Sequence, residues 1–174
     1  TWKKAKSIIT DCSSDTSPTP RTYKPGSIAL LALDRFSHRI HNSFQDPTGM
    51  GRWVGKTLTG LQGQKITIIA AYPITQEDAI TAGETTIAKQ QWCHLRRTGM
   101  ENPNPRKQFL NDIGAEIQRL TNDHRHEIIL MMDANEAITT TNMKNWISDN
   151  SLFDLLHDPT NPNDRPPTHQ RGQH

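Results

Sequence analysis

The chain has 174 residues, 33% of them hydrophobic, with a formal net charge of +2 and a pI near 8.6. That length carries one domain with a core of its own, but the apolar share is low for a globular domain even with the 10 Gly added, so an ordered middle with loose ends is expected. No apolar run approaches the roughly 20 residues that cross a bilayer, the start Thr1-Trp2-Lys3-Lys4 does not read as a signal peptide, and two distant cysteines, Cys12 and Cys93, argue against a disulfide framework or a Cys-based zinc site. An intracellular protein, nuclear or cytoplasmic, is expected, and its mild positive charge permits a polyanionic partner without demanding one. The missing initiator Met reads as the start of a fragment.

Residues 1–11 read as an amphipathic helix, with Trp2, Ala5, Ile8 and Ile9 on one side and Lys3, Lys4 and Lys6 elsewhere. Residues 12–26 hold Pro18, Pro20 and Pro25 and read as a loop. A strand follows over 27–34, which 36–41 continues or pairs with, and 42–51 is a turn-rich connection. Loose alternation over 52–59 marks a second strand, 60–63 is a tight turn, and 65–72 is a buried strand that Pro73 stops, because proline cannot donate to a ladder. Helices are expected over 84–97 and over 106–122, the latter from a clean stripe of Phe109, Leu110, Ile113, Ile117 and Leu120. Two Asn-Pro steps between them disfavour helix. A further helix lies near 141–148, a short apolar segment at 152–156, and a Pro-, Asn- and His-rich end at 158–174. There is no internal repeat. Strands, then helices, then a returning strand suggest a layered α/β or α+β sandwich.

The stretch that organises the rest is 127–136. Ile128 to Met132 are five consecutive apolar residues, which reads as a strand buried on both faces, and the run ends in Asp133, Asn135 and Glu136. Sheet-based proteins commonly present site residues where such strands end, while Asp and Asn are also ordinary turn residues. The ten residues alone leave both readings open.

Three features together resemble the endonuclease/exonuclease/phosphatase family, with its deoxyribonuclease-I-like fold: Pro25-Gly26-Ser27-Ile28-Ala29-Leu30 as the entry to a core strand, Gly51-Arg52-Trp53-Val54 followed by a strand ending in Tyr72-Pro73, and Met132-Asp133-Ala134-Asn135-Glu136 in the place of the family's Gly-Asp-x-Asn motif. Met132 stands where the family usually has Gly. The resemblance implies a four-layered α/β sandwich, two central β-sheets flanked by helices and incomplete at both ends. Residues 1–22 form an N-terminal flank of helix and loop, and 23–174 a partial domain. The family's metal-binding Glu would precede Thr1, and its final Ser-Asp-His would follow His174, so the metal ligands are unknown in this chain.

By the same resemblance Asp133 orients and deprotonates the attacking water, Asn135 positions water and phosphate, and Tyr72 donates its hydroxyl to a phosphate oxygen. Thr168 and His169 are phosphate contacts, and Mg²⁺ or Mn²⁺ is the cofactor. Other polar and aromatic residues get plainer readings: Arg52 pairs with a surface carboxylate, Glu136 is a loop or helix-start acid, Trp53, Trp92 and Trp146 are core or interface residues, and His124 and His126 sit in a solvated turn. The implied activity is a metal-dependent phosphodiesterase, a DNA endonuclease. The ending Pro167-Thr168-His169-Gln170-Arg171-Gly172 further resembles the nuclease domains carried with a reverse transcriptase in one retroelement polypeptide. A phosphoinositide phosphatase of the same fold and a non-catalytic remnant are the alternatives. Strands missing from a two-sheet sandwich should leave apolar surface exposed and the isolated fragment poorly soluble.

Overall fold

The computed structural model describes residues 7–13, 27–75, 79–123 and 126–155. Nine regular elements lie among them: β1 (Ser7–Ser13), β2 (Ser27–Leu33), β3 (Ile40–Gln45), β4 (Trp53–Thr59), β5 (Lys65–Ala71), α1 (Ile87–Arg97), α2 (Pro105–Thr121), β6 (His126–Met132) and α3 (Thr141–Asp149). Strands β3-β4-β5-β6 form a mixed sheet in that order. The first three run antiparallel, and β6 runs parallel to β5, with Ala71 opposite Met132. A parallel neighbour requires a crossover, which α1 and α2 supply. That crossover brings the carboxyl ends of β5 and β6 side by side.

The core explains the helix position. Phe109, Ile113, Ile117 and Leu120 recur every three or four residues along α2, so they line one face, and they bury Trp53, Ile69 and Ala71 of the sheet. Trp53 and Phe109 meet edge to face, centroids 6.0 Å apart. Phe44 on β3 lies across Gly55 on β4, its cross-strand partner. A Cβ on Gly55 would fall 2.2 Å from Phe44 Cζ, so the ring occupies the space a side chain would take. Each helix opens on a residue whose side chain accepts from a first-turn amide: Thr86 from Lys89, Asn104 from Lys107 and Thr140 from Met143. Pro105 at the first position of α2 fits the same start.

Three expectations are corrected. In its described part the segment 1–11 is strand, not helix: Ile8-Ile9-Thr10 is β-branched, and β1 pairs antiparallel with β2 from Ser7 opposite Leu33 to Ser13 opposite Ser27. The connection expected over 42–51 is in part strand, since β3 runs to Gln45 after a short 3-10 turn over Asp34–Arg39. Strand β6 is not buried on both faces. Ile128, Leu130 and Met132 pack on the core, whereas Ile129 and Met131 stay 39% and 48% exposed. The β1–β2 pair lies against β3, β4 and β5, and among the described residues the second face of β6 has no comparable cover. The described chain is thus a mixed α/β fold with one four-stranded sheet and one two-stranded sheet. None of its described helices is long and apolar enough to cross a membrane.

Candidate active site

Tyr72 and Asp133 are the first residues beyond the paired ends of β5 and β6. Adjacent strands lie about 4.8 Å apart, so the parallel register sets both residues at one corner of the sheet, and both are exposed. Ala71 and Met132 face α2, and alternation turns the next residue of each strand to the opposite face. Tyr72 keeps to the ladder, its backbone N–H donating to Arg52 O at 3.0 Å.

The loop after β6 is held by its own polar residues. Asp133 Oδ1 accepts from the backbone N–H of Asn135 at 3.2 Å, an Asx turn. Asn135 itself has φ 49°, a left-handed conformation that Asn tolerates better than most residues. Its Nδ2 donates to Pro73 O at 2.9 Å, which ties this loop to the one after β5. One amide hydrogen of Asn135 is therefore engaged in joining the two loops, and the carboxylate oxygens of Asp133 stay accessible on the surface. Thr168 and His169 lie outside the described residues.

Sequence reasoning missed Arg106. Buried in the first turn of α2, it donates from Nη1 to Ile74 O and from Nη2 to Ala134 O, each at 2.8 Å, and from Nη2 to Glu136 Oε2 at 2.7 Å. Glu136 Oε1 in turn accepts from Thr140 Oγ1, the α3 cap, at 2.6 Å. One guanidinium thus clamps both strand-end loops, and Glu136 passes the constraint to α3. A signal existed: a cation in the first helical turn opposes the helix dipole unless a nearby anion compensates it.

The Gly-Arg-Trp strand is also structural. Arg52 is 1% exposed and meets Asp46 through Nε to Oδ2 at 2.6 Å and Nη2 to Oδ1 at 3.0 Å, then reaches Asp112 of α2 at 2.8 Å. Its expected carboxylate partner is therefore buried, not at the surface, because the 46–52 loop folds back over it. Burial pushes the Asp46 carboxyl up, but the hydrogen bond and charge of Arg52, with two hydrogen bonds from Thr48, outweigh it and leave the pKa below its ordinary value. His126 is likewise no turn residue. It opens β6, and its Nε2 meets Thr67 Oγ1, which is 2.7 Å from Thr57 Oγ1. Burial, then the charge of Lys65, holds its pKa below 6.5, with Asp123 opposing.

Among the described residues no group of three or more His, Cys, Asp or Glu side chains could hold a metal ion. Asp133 is one oxygen donor of the kind Mg²⁺ takes, and Glu136 is committed to Arg106 and Thr140. The described residues do not make an Mg²⁺ site.

The geometry defines a mixed α/β protein with a polar corner at the carboxyl ends of two parallel strands. Two solved structures resemble it. The human Nocturnin catalytic domain with bound sulfate anion is 16% identical, with a TM-score of 0.48, over 83% of this chain and 48% of that one. Beta toxin 275-280 from Staphylococcus aureus is 11% identical, with a TM-score of 0.42, over 80% of this chain and 45% of that one. The chain spans about half the length of each structure it matches. No protein-family model and no curated protein matches it.

Proposed function

We propose that this chain is part of a phosphodiesterase that cuts DNA, built on the four-layered sandwich that further strands would complete. The observation that carries it is the placing of Tyr72 and Asp133 side by side, one residue beyond the paired ends of β5 and β6, in the order that resembles the endonuclease/exonuclease/phosphatase family. The Asp133 carboxylate takes the proton of an attacking water. Asn135 fixes the loop that carries Asp133 by its bond to Pro73 O, and its carbonyl oxygen orients the water. The Tyr72 hydroxyl donates to a non-bridging phosphate oxygen, where negative charge builds as the water attacks. Bound Mg²⁺ or Mn²⁺ would neutralise phosphoryl charge; the described residues offer it Asp133 alone, and no step here depends on it.

The narrower reading, a nuclease domain carried with a reverse transcriptase, is supported by Gly51-Arg52-Trp53 and by 167–172, and the latter lies outside the described residues. Supercoiled plasmid and a phosphoinositide, each offered with Mg²⁺ to the chain extended by its flanking reading frame, test the substrate class. Nicked plasmid with no phosphate release is the expected result. Phosphate release without nicking would assign the phosphatase, and neither product would assign a non-catalytic remnant.

A further inference from the structure

A cleft of about 760 Å³ lies between α2, α3 and the segment after β5, within the size range of small-molecule sites. Two helix faces wall it. Asn104, Lys107 and Asn111 recur at three- and four-residue spacing along the start of α2, and Asn142, Asn145 and Asp149 do so along α3. All six are exposed, and Asn104 also caps α2. The side-chain amides of Asn111, Asn142 and Asn145 make no hydrogen bond among the described residues. Ile74, Leu110 and the Trp146 indole supply apolar lining between the walls, and Trp92 adds a second indole.

Charge narrows the ligand. Arg106 is committed to Glu136, and Lys107 and Asp149 add one charge of each sign to the lining, so the cleft carries no net charge. A bare phosphate would want unmatched cations, and an apolar peptide would want apolar walls. Amides that both donate and accept, beside indole rings, suit a planar neutral group with donors and acceptors along its edge. A nucleobase has that chemistry, and Asn reads base edges through both amide atoms.

We propose that the cleft binds a base unstacked from single-stranded nucleic acid, with Asn142 and Asn145 at its edge. The proposal rests on the reading of nucleic acid as substrate. Ile74 and Glu136 line the cleft and belong to the loops that carry Pro73 and Asn135, so the cleft adjoins those loops on the α2 side, while Tyr72 and Asp133 turn to the other face of the sheet.

Tryptophan fluorescence of the chain, titrated with short single-stranded DNA and with abasic DNA of equal length, tests it. Base-bearing DNA should bind about ten-fold tighter, the scale of one stacked base, and N142A/N145A should lose that preference while keeping the parental melting temperature. Equal binding of the two DNAs overturns the proposal, as does a preference that survives in N142A/N145A. Free adenosine binding as tightly as the strand would overturn the single-stranded source, and cellobiose binding that N142A/N145A abolishes would assign a saccharide instead. Base preference is read without turnover, so plasmid nicking that fails while the preference holds rejects only the catalytic reading.

Discussion

Arg106 Nη2 lies 2.7 Å from Glu136 Oε2, and the pair joins the first turn of α2 to the loop that presents Asp133 and Asn135. Their side chains are 11% and 9% exposed, so each charge depends on the other. The bond from Asn135 to Pro73 also ties the loops after β5 and β6. Arg106 adds two backbone carbonyls to that link, one from each loop.

Replacing Arg106 by Met should therefore cost about 3–5 kcal/mol, the usual result of stranding one member of a buried ion pair. The double variant R106M/E136Q should regain part of the loss, since it leaves no unpaired charge. Urea unfolding at neutral pH measures both. A single-variant cost under about 1 kcal/mol would show that the pair behaves as a surface bridge.

Asp46 and Arg52 set the acid limit of the fold. The folded carboxyl titrates below its ordinary value, so its stabilisation is fully present above that value and is lost as pH falls through the folded pKa. Melting temperature should fall steeply below about pH 4. D46N should be destabilised at neutral pH and show a shallower fall in acid. Parallel curves for the two proteins would exclude this source.

His126 works in a higher window. Its folded pKa lies below 6.5, so the unfolded chain takes up the proton first. Stability is then full above 6.5 and declines as pH drops toward the folded value. The ring meets Thr67 Oγ1 through Nε2, in a half-buried place beside Lys65 that disfavours its charged form. H126Q should flatten the loss of melting temperature between about pH 7.5 and pH 5.5. His94, whose pKa is also lowered by burial and the charge of Arg52, should supply the slope that remains. An unchanged slope in H126Q would contradict the assignment.

Gly55 should not accept even a methyl group. Its Cβ would overlap the Phe44 ring at 2.2 Å, so G55A should cost about 1–3 kcal/mol. F44L/G55A should recover part of that by withdrawing the ring. Thermal unfolding of G55A, F44L and the double variant beside the parent checks the pairing, and additive losses would show that the two residues do not compete for space.

Much of the fold was legible where one physical signal dominated. The apolar stripe of α2, the Pro73 stop after β5 and the β6 run each follow from a local period or a missing donor. The N-terminal strand was not, because Trp2, Ala5, Ile8 and Ile9 fit a helical stripe and the competing partner, β2, lies some twenty residues on in the sequence. The order of motifs singled out Tyr72, Asp133 and Asn135, but no local pattern shows that Arg106 reaches forward 28 residues to Ala134 and back 32 to Ile74. The burial of Arg52 was hidden differently: its buried partner Asp46 is only six residues away, but no local period shows that the 46–52 loop folds back over the pair, and its second partner Asp112 stands 60 residues away.

The most direct test of the site is D133N. Asn keeps the oxygen that accepts from the Asn135 N–H and removes only the carboxylate charge, at an exposed position. Plasmid nicking by the chain extended with its flanking sequence should fall about 100-fold or more, the loss expected when a general base is removed, with the melting temperature unchanged. Nicking at the parental rate by folded D133N would contradict the account.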